Sequence, residues 1–178
     1  MATDLAAMTL FAALTALGAR LSFHLPYTPV PVTGQVFCVL LAGAVLGPRL
    51  GFASQVEYLA AGAAGLPVFS AGGGAAAMLG PTAGYLLCFP LAALVVGTVV
   101  GRLGQSTWSY ATAGLAGVVS VYLLGASWFA VWSAFLGRPI ALAVVLTQSV
   151  VPFIAPDVVK AGLVASVAPR VRRRLGVW

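Results

Sequence analysis

Apolar residues in this chain run on rather than alternate, and the breaks between runs are made by prolines, glycines and single charges. Runs of this length and recurrence predict membrane-spanning helices. The first covers residues 5–23. It stops at Pro26-Tyr27-Thr28-Pro29-Val30-Pro31, where repeated proline cannot continue a helix. Residues 32–46 and 52–64 form a second and a third span, joined by Gly47-Pro48-Arg49-Leu50-Gly51. Both are short against the roughly 20 residues that a bilayer requires. Residues 65–80 are rich in glycine yet too apolar for a solvated linker, and we read them as a loop folded back over the bundle as a lid. Residues 82–100, 110–131 and 153–168 are spans four to six. The segment 139–151, bounded by Pro139 and Pro152, is a short helix or re-entrant connection. The expectation is an all-α, integral membrane bundle of six transmembrane helices, forming one domain over residues 1–178.

Composition strengthens this picture. Of the 178 residues 61% are hydrophobic and 7% charged, whereas soluble domains carry about a quarter charged. Met1-Ala2-Thr3-Asp4 lacks the basic start of a cleavable signal, so the first run is expected to remain as a span. The net charge of +6 would suggest nucleic acid in a soluble protein; here topology accounts for it. Short basic flanks mark the cytoplasmic side. The tail Arg170-Val171-Arg172-Arg173-Arg174 therefore lies inside, as do Arg49 and Arg102 in their loops, and six spans place both termini in the cytoplasm. Arg20 and Arg138 fall at the outer face. That arrangement gathers the Pro-rich first loop, the lid and the start of span six on the outside of a plasma membrane.

Against this background Asp157 and Lys160 stand out. They lie three residues apart in the apolar run 150–168 and so share a helix face. Each charge costs about 2.5–3.5 kcal/mol to insert on translocon scales. The pair is either a self-neutralising packing device or a ligand site in which Lys160 grips an anion and Asp157 accepts N–H donors; intramembrane charge favours the site. Glu57 is the other carboxylate in a span, close to its inner end, and suits a structural or partner-facing role. Gly80-Pro81-Thr82-Ala83-Gly84-Tyr85 is an ordinary helix start, but its free N–H groups point at the outer pocket, with Thr82 and Tyr85 as lining candidates. His24 is expected in an interfacial loop. Trp108, Trp128, Trp132 and Trp178 lie near span ends, as an aromatic belt requires, and Trp128 is an alternative stacking surface. Ala12 and Ala16, one turn apart, offer a close-approach strip. Cys38 and Cys88 read as buried spectator thiols. There is no HExxH, GxSxG or GxxxxGKS sequence. An enzyme, a metal centre and an intrinsic ATPase are thus disfavoured, and no cofactor is expected.

Several ordered motifs resemble the biotin transporter family BioY. They are Pro29-Val30-Pro31-Val32-Thr33-Gly34-Gln35; Leu41-Ala42-Gly43 with Leu46-Gly47-Pro48-Arg49; Tyr58-Leu59 with Gly62-Ala63-Ala64-Gly65-Leu66-Pro67-Val68-Phe69; Gly80-Pro81-Thr82-Ala83-Gly84-Tyr85-Leu86; and Pro152-Phe153 with Asp157 and Lys160. Ala75 and Cys88 depart from the glycines of that pattern, at positions that concern packing. The resemblance implies a vitamin-binding S component with six helices that captures biotin at the outer face. It further implies docking on a transmembrane T component with ATPase subunits through small residues of the first helix, here Ala12 and Ala16. Some members of the family work without a dedicated module, and self-association is an open option. Biotin carries ureido N–H donors and a carboxylate. Asp157 and Lys160 suit those two ends, while Phe69, Tyr85 and Trp128 suit the apolar remainder. The competing class is a self-sufficient secondary transporter driven by protons or sodium through Glu57 or Asp157.

Overall fold

The computed structural model describes residues 2–175, and Trp178 lies outside them. Its helices are α1 (Ala2–Arg20), α2 (Gln35–Ala63), α3 (Ala83–Leu103), α4 (Thr107–Phe135), α5 (Leu142–Ser149) and α6 (Val151–Leu175). Two short strands, β1 (Ser22–Phe23) and β2 (Val32–Thr33), pair antiparallel and close the Pro-rich loop. Five of the helices are long and apolar enough to cross a membrane. The first span thus ends at Arg20, and Ser22 and Phe23 are strand rather than helix. The second span begins later than its apolar run, at Gln35, because Val32 and Thr33 pair as strand β2. The last three spans run a few residues beyond theirs, because helix continues until a cap or glycine stops it: Ser106 caps α4 by accepting from Ser109 N–H, and Gly104, at φ 82°, ends α3.

The second helix is a hairpin. Gly47 breaks it at φ 80°, ψ −178°, a backbone state that glycine tolerates, and Pro48 follows at the start of the next helical arm. Gln35 Nε2 donates to Tyr58 Oη at 2.5 Å, although a continuous helix would separate these residues by about 35 Å. The arms 35–46 and 48–63 therefore run antiparallel, as two helical segments whose connection is one residue.

Two packed regions follow. One joins Leu40, Val45 and Leu46 of α2 to Val96 and Val100 of α3, Tyr110 and Ala113 of α4, and Val164, Ala165 and Ala168 of α6. Here backbones touch: a Cβ on Gly97 would lie 2.4 Å from Pro48 N, and one on Gly43 2.3 Å from the Ala93 carbonyl oxygen. The second region joins Val30, Val39, Tyr58, Phe69, Tyr85, Phe89 and Phe153 around a cavity at the opposite end. Basic residues gather beyond the first region. Arg102 is in the last turn of α3, the Gly47–Pro48 reversal packs on Gly97, and the tail continues α6 as helix. Arg172 is buried there and donates to Tyr110 Oη at 3.4 Å.

Candidate functional site

The cavity measures about 230 Å³ and is lined by side chains from every quarter of that end of the bundle. The first loop brings His24, Val30 and Pro31; α2 brings Gln35; the glycine-rich loop brings Phe69, Ser70 and Ala77; α3 brings Thr82, Tyr85 and Phe89; α6 brings Phe153, Asp157 and Lys160. Asp157 and Lys160 are its charged members among these residues. Their i, i+3 spacing does what helix geometry dictates: Lys160 Nζ donates to Asp157 Oδ1 at 2.7 Å. Asp157 is 3% exposed, so its charge is compensated where water does not reach. Its other oxygen, Oδ2, accepts from Tyr122 Oη of α4 at 2.8 Å. The carboxylate thus has a protein donor on each oxygen, from two helices.

The roof is tied rather than loose. Tyr58 Oη donates to Val68 O at 3.1 Å, Arg20 Nη2 donates to Pro67 O at 2.7 Å, and Gly74 N–H reaches Gly62 O at 2.7 Å. Phe69 points inward, is 2% exposed, meets Tyr58 edge-on at 5.4 Å between ring centroids, and occupies the space above Gly62. A 3-10 turn at Ala75–Leu79 completes the strap. From the other side Thr28 Oγ1 and Tyr85 Oη both donate at 2.5 Å, to the carbonyls of Gln148 and Ser149, and fasten α5 over the start of α6.

Asp157, Lys160, Tyr85, Thr82 and Phe69 all reach this one cavity. Trp128 does not line it. Its indole N–H donates to Gly80 O at 2.9 Å, just before the start of α3. Three participants are not among the expected site residues: His24 is expected only in an interfacial loop, Gln35 stands only in a family motif, and Tyr122 has no expected role. Gln35 and His24 line the cavity, His24 on its exposed rim, and Tyr122 grips Asp157. A tyrosine in the middle of an apolar span, away from the belt positions, is the signal that marks Tyr122.

Ala12 and Ala16 lie elsewhere, along a groove of about 160 Å³ between α1 and the second arm of α2, together with Thr9, Ala13, Glu57, Ala61 and Val68. Ala12 is 8% exposed and packs in the protein's own core, whereas Ala16 is half-buried. Glu57 Oε2 is buried in the same neighbourhood without a hydrogen-bond partner among the described residues. Among those residues no three His, Cys, Asp or Glu side chains gather as a metal site would require.

Comparison with known proteins agrees with this architecture. The BioY family model matches residues 1–177. The probable biotin transporter BioY of Pyrococcus horikoshii is 42% identical over 172 residues, covering 96% of this chain and 97% of the relative. The biotin transporter BioY of Thermotoga maritima is 36% identical over 92% of each chain. The crystal structure of the S-component for biotin from an ECF-type ABC transporter superposes with a TM-score of 0.84 at 30% identity, covering 96% of this chain and 90% of that one. Apolar helices long enough to cross a membrane and a match along nearly the whole length make this chain a multi-pass membrane protein that belongs to the BioY family.

Proposed function

We propose that this protein is the biotin-binding S component of an energy-coupling factor uptake transporter, with six crossings of the plasma membrane and both termini in the cytoplasm. The observation that carries the proposal is a largely apolar cavity whose charge is a single pair, the buried Asp157 carboxylate and the half-buried Lys160 ammonium, in a chain that superposes on a biotin S component. Each carboxylate oxygen accepts more than one hydrogen bond, so Asp157 can take ureido N–H groups while keeping Lys160 and Tyr122. Lys160 has three donors, of which one is engaged with Asp157; a ligand carboxylate takes another. Val30, Phe69, Phe89 and Phe153 supply the apolar walls that a thioether ring and alkyl chain require. Arg49, Arg102 and the α6 tail at the end opposite the cavity support an inner location for that end.

In this reading a transmembrane T component with ATPase subunits docks along α1 at the partly open Ala16, where a small side chain permits close helix approach, while Ala12 of the expected strip packs within the protein's own core. The relatives carry transporter names, and the function is transport rather than catalysis. Calorimetry on the purified protein tests the central claim. Biotin should bind without nucleotide, while thiamine and riboflavin should not; absence of biotin heat and of competition by biotin analogues would overturn it. The buried Glu57 Oε2, without a hydrogen-bond partner among the described residues, favours one second reading, an ion-coupled transporter acting alone. Uptake that survives removal of the ATPase partners and collapses with the ion gradient would select that reading.

A further inference from the structure

We propose that Tyr122 is a specificity-determining residue that aims Asp157 at the ligand's N–H groups without lining the cavity itself. The inference rests on the reading of the cavity as a biotin site. Asp157 and Lys160 belong to one helix, and an i, i+3 pair on its own leaves the carboxylate a broad choice of rotation about its last torsion. Tyr122 removes that choice. It comes from α4, it donates to Oδ2 at 2.8 Å while Lys160 donates to Oδ1 at 2.7 Å, and so the carboxylate plane is held from two helices. Its ring lies outside the cavity wall, whereas Asp157 lies in it.

With one lone pair of each oxygen occupied by the protein, the remaining ones hold fixed directions. A ligand that brings hydrogen-bond donors along those directions binds to a site already oriented, and no rotamer freedom is lost at the moment of binding. A ligand without such donors leaves a buried carboxylate short of partners, which is the stronger basis of discrimination in a buried polar site. Tyr122 therefore acts on selectivity for N–H donors more than on the apolar fit of the ligand.

The test compares biotin with its two ureido mono-N-methyl isomers in wild type, Tyr122→Phe, Asp157→Asn and the double variant. In wild type the isomer that has lost the N–H facing Asp157 should bind at least tenfold more weakly than biotin. Tyr122→Phe should weaken biotin about tenfold and shrink the biotin-to-methyl-biotin ratio several-fold. In the Asp157→Asn background the same tyrosine change should add less than twofold, because its action passes through Asp157. If Tyr122 merely packed α4 on α6, biotin and both isomers would weaken alike, the ratio would stay constant and the two losses would add; that result overturns the inference. A wild type that ignores both methylations also overturns it, since Asp157 then takes no ligand N–H. If wild-type protein fails to bind biotin at all, the functional reading itself is wrong, and this proposal falls with it.

Discussion

The two ends of the bundle are built on different principles. Beyond Leu40, towards the basic end, α2, α3, α4 and α6 meet through Ala, Val, Leu and Gly, with backbone almost in contact at Gly43–Ala93 and Gly97–Pro48. At the cavity end side chains fill the space, with Tyr85 against Gly125 and Phe69 against Gly62. The apolar packing there is supplemented by hydrogen bonds between elements: Gln35 to Tyr58, Tyr58 to Val68, Tyr85 to Ser149, Tyr122 to Asp157. Close van der Waals packing is the main source of helix association in lipid, where apolar burial gives little drive. The backbone contacts of the tight end therefore contribute most to keeping the helices together, and this leaves the other end free to enclose a cavity. The difference teaches that substitutions of equal size should be read out differently at the two ends, as loss of fold in one and loss of ligand in the other.

The largest effect should come from the tight end. Gly97→Val places a side chain against the backbone of Pro48, which cannot yield as a flexible side chain would. Overpacking typically costs about 1–3 kcal/mol and more where backbone must shift, so the detergent-solubilised variant should lose its cooperative thermal transition or show it many degrees lower, with or without biotin. An unchanged midpoint would contradict the assignment of stability to this end.

At the cavity end Asp157→Asn, which keeps the shape and removes the buried charge, should reverse that pattern, with the apo midpoint moving little and affinity falling steeply. Lys160→Ala should lower both, because it leaves the buried Asp157 charge without its ammonium partner. Truncating one member of a buried charged pair costs about 2–5 kcal/mol in complexes. Lys160→Ala should weaken biotin more than biotin amides, since only the free acid has a carboxylate to lose, whereas Asp157→Asn should weaken acid and amide alike. Equal losses of acid and amide in Lys160→Ala would show that Lys160 does not meet the carboxylate.

A smaller, kinetic effect concerns the roof. Ser70 faces the cavity from a loop fastened by Arg20 and Tyr58. Ser70→Cys should react with an impermeant thiol reagent added outside, and biotin should slow that reaction severalfold. Labelling from the cytoplasmic side alone would invert the proposed orientation.

The smallest effect on ligand binding should come from α1. Because Ala12 is enclosed in the protein's own core, Trp at Ala12 disturbs the bundle as well as any partner, while Ala16 is partly open. Ala16→Trp should leave biotin affinity within about twofold and still abolish co-purification with the T component and partner-dependent uptake. Loss of biotin binding in this single variant would mean that the strip serves internal packing instead.

What the sequence by itself determined is local. Uninterrupted apolar runs, prolines and glycines marked the spans and their breaks, including the Gly47–Pro48 reversal, because helix propagation and termination depend on neighbours within a turn or two. The Asp157–Lys160 contact was equally legible, since i, i+3 spacing places two side chains on one face whatever surrounds them. Tertiary structure alone decided which faces turn inward. Residues of α4 are apolar around most of the helix, so periodicity carries no phase to say which side meets the core. At about 100° per residue, Tyr122 and Trp128 stand about 120° apart on α4. Only the packing of α4 against α3 and α6 sends Tyr122 to Asp157, 35 positions away, and Trp128 to Gly80, 48 positions away. The β1–β2 pairing and the tethering of the glycine-rich loop are decided the same way, by contacts between segments that share no local pattern.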